Sequence, residues 1–278
     1  MNALTVALAL TEAKALGVDR LDAQLLLART LARTRSWLLA HDDAALDSAQ
    51  AAAIRSELLR RSRGEPLAYL VGEKEFHGLM LHVTPAVLVP RPETEMLVDW
   101  GLELLGGPLA SVLQPAVLDL GTGSGAIALA LKHARPGASV SAVDVSPPAL
   151  AVAAANAQRL SLLVAFEQGH WWDGLTGRWF HLVLSNPPYI EPDDPHLPDL
   201  RYEPRIALTP EGGGLHALRT IIVGAAGHLE PGAWLVLEHG HDQASQVRAL
   251  LGDNGFRSPQ TRQDLAGLPR CTGAQWPT

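Results

Sequence analysis

Apolar residues recur along this chain at two periods, and the change between them divides it. Over residues 1–63 they fall three and four apart: Leu21, Leu25, Ala28, Leu31 and Ala32 form one such set behind Asp19, a residue suited to capping a helix. A second set begins near Ser48 and carries Ile54 and Leu58 on one face. That run ends in Arg60, Arg61, Ser62, Arg63 and Gly64, and the ring of Pro66 forbids its continuation. The first ten residues also read as helix, because they are apolar, lack the basic start of a signal peptide and are followed closely by Glu12 and Lys14. Residues 1–75 are therefore expected to form a small all-helical bundle, with an edge near Gly64.

Alternating and β-branched character at 79–90, broken at Pro85, predicts a hairpin or extended linker over 76–91. Pro92 then opens a helix over 93–105. Beyond Pro115 short apolar runs at 116–120, 139–144, 162–167, 181–185 and 233–238 alternate with helical patterns at 126–133, 146–160, 213–229 and 242–252. Such alternation predicts an α/β domain over 92–278, a mostly parallel sheet covered on both faces. Residues 187–214 interrupt it, with prolines at 187, 188, 192, 195, 198, 204 and 210. A connection this long, directly after a strand end, falls where open α/β sheets bind ligands.

Composition narrows the function. With 278 residues, 47% hydrophobic and 18% charged, the chain can bury a sizeable core and is expected to be soluble. No run approaches the roughly 18 uncharged apolar residues of a membrane span. The net charge is −7, opposite in sign to a protein held on nucleic acid by phosphate neutralisation, so stable DNA binding is not expected. Residues 1–80 carry ten basic and ten acidic side chains, and 81–278 carry 12 and 19, so the whole excess lies in the second part. A single cysteine, Cys271, leaves no internal disulfide or Cys-rich zinc site and fits a reducing cytoplasm.

Three constellations carry candidate chemistry. Asp119, Leu120, Gly121, Thr122, Gly123, Ser124 and Gly125 lie between a buried strand and a helix, where glycines let the backbone turn tightly and approach a nucleotide-type ligand. The looser dinucleotide fingerprint is also satisfied. Asp144 ends the next strand, 19 residues after Gly125, where an acid accepts hydrogen bonds from ribose hydroxyls; capping the following helix is the structural alternative. Asn186, Pro187, Pro188 and Tyr189 end the strand after Ser185. Two prolines stiffen that exit so that the Asn186 side-chain oxygen and the Pro187 carbonyl can face one spot, and two acceptors there suit one planar NH2 group; Tyr189 adds a flat face for stacking. His239 and His241 are too few to suggest a metal. Arg91 and Glu93 read as a capping element, a lid or a salt link. The Arg55, Arg60, Arg61, Arg63 cluster reads as a solvated helix face or a docking surface for an acidic protein.

On these strings, together with Gly64-Glu65-Pro66, the run from Pro90 to Glu95, Ala126 to Leu129, Ile190 and Leu237 to Gly240, the chain resembles the Asn-Pro-Pro-Tyr methyltransferases, and among them most the HemK/PrmC family. The likeness implies a class I, Rossmann-like S-adenosylmethionine-dependent fold with a seven-stranded sheet. It also implies methylation of the side-chain amide of the glutamine in the Gly-Gly-Gln motif of peptide-chain release factors. It further implies that Gly121, Thr122, Gly123, Ser124 and Gly125 wrap the methionine part of the cofactor, that Asp144 holds the ribose and that Trp171 lies beside the adenine. Asn186 would stand between cofactor and substrate, with Pro187, Pro188 and Tyr189 around the substrate amide, and the N-terminal bundle would recognise the protein substrate. His170 departs from the family, which often has an acid before that tryptophan. The tail after Gln263 matches loosely. A glutamine methyltransferase acting on a large-subunit ribosomal protein would share these motifs, and an adenine N6 DNA methyltransferase would share the four-residue one.

Overall fold

A computed structural model describes residues 3–278; Met1 and Asn2, part of the expected first helix, lie outside the described residues. Contacts divide the chain into a unit ending at Glu73 and a unit running from Lys74 to Thr278.

The first unit is five helices: α1 (Val6–Ala15), α2 (Arg20–Thr30), α3 (Arg35–Ala40), α4 (Ser48–Ser62) and α5 (Leu67–Val71). Short polar side chains start four of them, since Thr5, Asp19, Thr34 and Asp47 accept from backbone N–H groups of the first turn, and Gln50 completes a capping box with Asp47. Val6, Leu26, Leu27, Leu38, Ile54 and Leu58 form the core. The buried face of α2 is not the predicted one. Leu21 is 45% exposed, while Ala23, Leu26 and Leu27 are buried. This leucine-rich helix holds two overlapping three-and-four sets, and Ala32 falls beyond its end with φ of +50°. The arginine cluster is engaged within the unit: Arg55 pairs with Glu12, Arg60 with Glu65 and Arg61 with Asp22.

A hairpin of β1 (Glu73–Phe76) and β2 (Leu79–His82) turns at His77 and Gly78, both at positive φ as a two-residue hairpin turn requires. It lies earlier than the predicted linker, because the charged residues of β1 carry no strand pattern; residues 83–91 form no strand. A 3-10 turn, Pro92–Thr94, leads into α6 (Glu95–Gly106), and then follow β3 (Ala116–Leu120), α7 (Ala126–Ala134), β4 (Ser139–Asp144), α8 (Pro147–Leu160), β5 (Ala165–Gln168), β6 (Phe180–Ser185), α9 (His216–Ala225), β7 (Leu229–Glu238), α10 (Ala244–Asp253), β8 (Arg257–Gln263) and β9 (Pro269–Gln275). The seven strands stand in the order β5-β4-β3-β6-β7-β9-β8; the first five are parallel and the last two pairings antiparallel.

Both faces are covered, and neighbouring strand residues serve opposite cores. Val117, Leu182, Leu184 and Val236 pack with Leu97, Trp100 and Leu129 on one side. Leu118, Leu120, Val183, Leu235 and Leu237 pack with Leu218, Ile221 and Val247 on the other. Between 187 and 214 there are only two short 3-10 turns, as the prolines require. The base of this excursion is closed where Ile190 N–H donates to the Leu208 carbonyl at 3.0 Å.

One buried polar residue ties the hairpin to the sheet's ligand end. Asn156 of α8 accepts from His82 N–H at 2.7 Å and donates to the carbonyls of His82 and Ser124 at 2.9 and 3.0 Å. Asn156→Ala removes all three bonds, and the expected loss is about 2–3 kcal/mol, since a buried group left without a partner costs about 1–3 kcal/mol. Denaturant unfolding followed by tryptophan fluorescence will measure it.

Candidate functional site

The site is built by strand register. Leu120 pairs with Val143 on one side and with Ser185 on the other, so the chain leaves β4, β3 and β6 at one level and sets Asp144, Gly121 and Asn186 side by side. Loops after β3 and β6 then diverge, since β4 and β5 lie to one side of β3 and β6 and β7 to the other. This is the crevice where open α/β sheets take ligands.

The glycine loop is held open from below. Gly121, Gly123 and Gly125 have φ of +74°, +56° and +84°, and both Gly121 and Thr122 donate to the Val143 carbonyl at 2.8 and 3.0 Å. Asp119 is fully buried, and its Oδ2 accepts from the Thr122 hydroxyl at 2.6 Å and from Ala128 N–H at 3.2 Å, which anchors the loop to the first turn of α7. Burial pushes this carboxyl up to about 7. Asp144 accepts from Gly123 N–H at 2.8 Å and from Ser146 N–H at 2.9 Å; burial raises its pKa. The cap of α8 is Ser146, which accepts from Ala149 N–H, so Asp144 belongs to the loop and not to the helix.

Asn186 donates through Nδ2 to the Thr94 hydroxyl at 3.0 Å. Behind it lies Glu238, fully buried at the end of β7, pushed up to about 7 by desolvation, and one of its oxygens, Oε2, has no hydrogen-bond partner. The Tyr189 hydroxyl donates to its other oxygen at 3.4 Å, and burial together with the adjacent carboxylate raises the phenol well above its ordinary value, so Tyr189 stays protonated. Gln243 fixes the motif's backbone, donating to the Tyr189 carbonyl at 3.1 Å while accepting from Gly240 N–H at 2.9 Å.

Two cavities meet at Asn186. One of about 770 Å³ is walled by Gly121, Thr122, Gly123, Ser124, Asp144, His170, Trp171, Asn186 and Pro188. The other, about 260 Å³, is walled by Asn186, Pro187, Tyr189, Ile190 and Leu200, and Leu88, Arg91 and Ala207 border both. Trp171 holds a left-handed backbone, φ +56°, and its ring lies where a Cβ on Gly121 would come within 3.3 Å. Gly125 is not on either cavity wall; it turns the chain into α7.

Other sequence candidates have structural partners. Arg91 pairs with the buried Glu203, which also accepts from Val89 N–H at 3.0 Å, so the Arg91 salt link ties residues 89–91 to the proline-rich loop. His239 is buried between the Gly240 carbonyl and the Thr272 hydroxyl, at 2.8 and 2.7 Å, and desolvation lowers its pKa. Thr94, Glu238, Gln243 and Glu203 had no assigned part in the sequence reading. A glutamate ending an otherwise apolar strand was the available signal for Glu238.

Sheet order and crevice together define a class I methyltransferase domain, and the comparisons agree. Residues 2–72 match the family described as PrmC N-terminal domain and 94–197 that described as Methyltransferase small domain. The release factor glutamine methyltransferase of Bordetella pertussis is 49% identical over 92% of this chain and 95% of its own length, and that of Burkholderia pseudomallei is 46% identical over 94% and 93%. Among solved structures, a T. thermophilus 16S rRNA methyltransferase in complex with AdoMet and guanosine superposes with a TM-score of 0.56 at 23% identity, over 73% of this chain and 49% of that one. The chain belongs to the release factor glutamine methyltransferase family.

Gly125 tests the loop's construction. A Cβ there would meet Leu129 at 3.0 Å and Ala153 at 3.3 Å on a backbone at φ +84°, whereas at Gly123 the space is open. Gly125→Ala should therefore cost more than Gly123→Ala, which should lose about 1 kcal/mol from the left-handed backbone alone. Chemical denaturation of both variants will rank them.

Proposed function

We propose that this chain transfers a methyl group from S-adenosylmethionine to the side-chain amide nitrogen of the glutamine in the Gly-Gly-Gln motif of peptide-chain release factors, in the cytoplasm. One observation carries the reading: Asn186 stands where the larger cavity, floored by the glycine loop, meets a smaller one of a size to take an amide side chain, and Pro187 lines that smaller one.

The residues of the larger cavity fit the cofactor. Glycine φ values in the left-handed region open a backbone face no side chain blocks, Asp144 lines the same cavity as a carboxylate beside that loop, and the Trp171 ring provides a flat wall for a base. Bound there, S-adenosylmethionine supplies a methyl carbon already activated by its sulfonium. An amide nitrogen is a poor nucleophile because its lone pair is delocalised into the carbonyl. The Asn186 side-chain oxygen and the Pro187 carbonyl accept its two hydrogens, which holds the NH2 plane and shifts electron density onto nitrogen. Tyr189, lining the smaller cavity, covers the amide plane. Catalysis is then positioning and electrostatics, with no strong base, because one of the two nitrogen protons becomes acidic as the new bond forms and leaves to solvent, and the product amide keeps the other.

Residues 1–75 are the substrate-recognition unit in this reading, in keeping with the match to the PrmC N-terminal domain. The arginines at 55, 60 and 61 are each paired with a carboxylate inside it, and Arg55 and Arg60 keep about half of their side chains exposed, so they stay available to an acidic protein surface. The acidic excess of residues 81–278 favours a protein over a DNA target. Among the described residues no helix is long and apolar enough to cross a membrane.

Labelled S-adenosylmethionine incubated with the protein and, separately, with release factor, ribosomes and DNA decides among the substrates: label on the Gly-Gly-Gln glutamine is expected, and label only on ribosomes or DNA would overturn the reading. Asn186→Ala should lower turnover by about 10²–10³-fold, the scale for loss of one preorganised polar contact, with cofactor affinity little changed. Asp144→Ala should do the reverse, weakening S-adenosylhomocysteine binding in calorimetry.

A further inference from the structure

Two adjacent prolines leave the segment from Asn186 to Tyr189 unable to hold itself in place. Pro187 and Pro188 have no N–H to donate, and the ring of each fixes its φ at roughly −65°. A proline also confines the residue before it to extended ψ, so Asn186 and Pro187 are restricted as well. What remains is a short, stiff, extended rod. Such a rod is aimed by its two ends, and the direction of the Pro187 carbonyl follows from where those ends are fixed.

The near end is fixed by the strand row, where Ser185 pairs with Leu120 and its hydroxyl donates to the Leu120 carbonyl at 2.6 Å. The far end is the Tyr189–Ile190 peptide, and it is gripped from both sides. Ile190 N–H donates to the Leu208 carbonyl at 3.0 Å, and the Tyr189 carbonyl accepts from Gln243 Nε2 at 3.1 Å. Gln243 is buried at the start of α10 and locked to the preceding turn: its Oε1 accepts from Gly240 N–H, and its own N–H donates to the Gly240 carbonyl, both at 2.9 Å. His239 N–H, donating to the Arg270 carbonyl at 2.9 Å, fastens that turn to β9. A backbone N–H only donates and a carbonyl only accepts, so a flipped Gln243 amide would oppose like groups at both ends.

Gly214, just before α9, closes the remaining side. A Cβ there would come within 2.6 Å of the Tyr189 carbonyl oxygen and 2.9 Å of both Gln243 Nε2 and Glu191 Oε1, so only glycine leaves the grip its room. Among the described residues no hydrogen bond occupies the Pro187 carbonyl, which leaves it free to accept from a substrate. Resting on the function proposed above, we propose that Gln243 is a positioning residue for methyl transfer: by clamping the Tyr189–Ile190 peptide it aims the Pro187 carbonyl at the substrate amide, with Gly214 setting the clearance. Gln243 lines neither cavity, so its effect passes through the rod and not through contact with substrate or cofactor.

Three variants disturb the clamp in different ways. Gln243→Met keeps the length of the side chain and removes both of its bonds. Gln243→Glu keeps the bond from Gly240 and sets a second oxygen against the Tyr189 carbonyl. Gly214→Ala presses on the clamp from the other side and removes no hydrogen-bonding group. Each should lower kcat on purified release factor by about 10–100-fold, the scale of a misaimed reacting group, with KM for release factor and the affinity for S-adenosylhomocysteine within about threefold. Val247→Ala, which loosens the packing of α10 one turn further on without touching the clamp, should keep the wild-type kcat.

Gln243→Glu carries a signature of its own. Once protonated, the carboxyl can donate to Tyr189 as the amide does, and burial with Glu191 nearby favours that form. Its activity relative to wild type at the same pH should therefore rise as pH falls from about 8 to about 6. Glu191, Glu238, His239, Asp242 and Arg270 stand around the clamp in both proteins and divide out of the ratio. Amide exchange at Ile190, followed by NMR, reads the grip on the peptide independently of turnover, and should quicken by about tenfold or more in Gln243→Met but not in Val247→Ala. Wild-type kcat in Gln243→Met, a Val247→Ala as slow as Gln243→Met, unaltered exchange at Ile190, or a pH-independent ratio for Gln243→Glu would each overturn the proposal. If Gln243→Met folds poorly, Gly214→Ala carries the kcat and exchange tests alone. A wild type that does not methylate release factor would instead overturn the release-factor reading, and Ile190 exchange would still decide whether the clamp exists.

Discussion

The register between three parallel strands is the constraint on which the rest of this structure depends. Because Val143, Leu120 and Ser185 are paired in one row, the residues that follow them emerge at one height, and chemistry separated by more than 60 positions in sequence is assembled without any side chain having to reach for it. A slip of one residue in β6 would exchange its two buried faces, sending Val183 where Leu182 and Leu184 now pack. The hydrophobic cores on the two faces therefore enforce the placement of Asn186 as strictly as any contact in the site.

Around that row the polar groups are few, buried and directional. Asp119 serves the glycine loop from beneath, Ser185 closes the strand pair by donating to the Leu120 carbonyl at 2.6 Å, and Gln243 holds the backbone of Tyr189. Each sits at the carboxyl end of the sheet, where strand pairing stops and unpaired backbone groups accumulate. The same location that creates the demand for buried polar side chains also offers the space for a ligand, so structural and chemical roles are interleaved residue by residue.

How much of this was legible in the sequence depends on the kind of signal. The glycine string, Asp144 and the Asn-Pro-Pro-Tyr run were readable because unusual residue types stand at strand ends, and the strands of the central sheet were readable because both of their faces are buried. The face of α2 was not, since a leucine-rich helix supports two registers and only the tertiary partner selects one. β8 and β9 escaped notice because sequences such as 257–263 and 269–275 hold few β-branched residues; antiparallel pairing at the sheet edge, against the strongly patterned β7, makes them strands. The hydrogen bonds around the motif, Asn186 to Thr94 and Tyr189 to Glu238, could not be read at all, because each joins positions whose proximity is a product of the fold.

The proline-rich excursion after the Asn-Pro-Pro-Tyr motif is stapled twice, by Ile190 to Leu208 and by Glu203 to Val89 and Arg91. Residues 191–202 are thus a closed loop whose two feet are fixed independently of what lies between them. Lengthening such a loop raises its closure entropy only logarithmically. The loop can therefore vary in length at little cost to the row of strand ends, while Pro192 and Leu200, which line the two cavities, are the points at which such variation would reach the site.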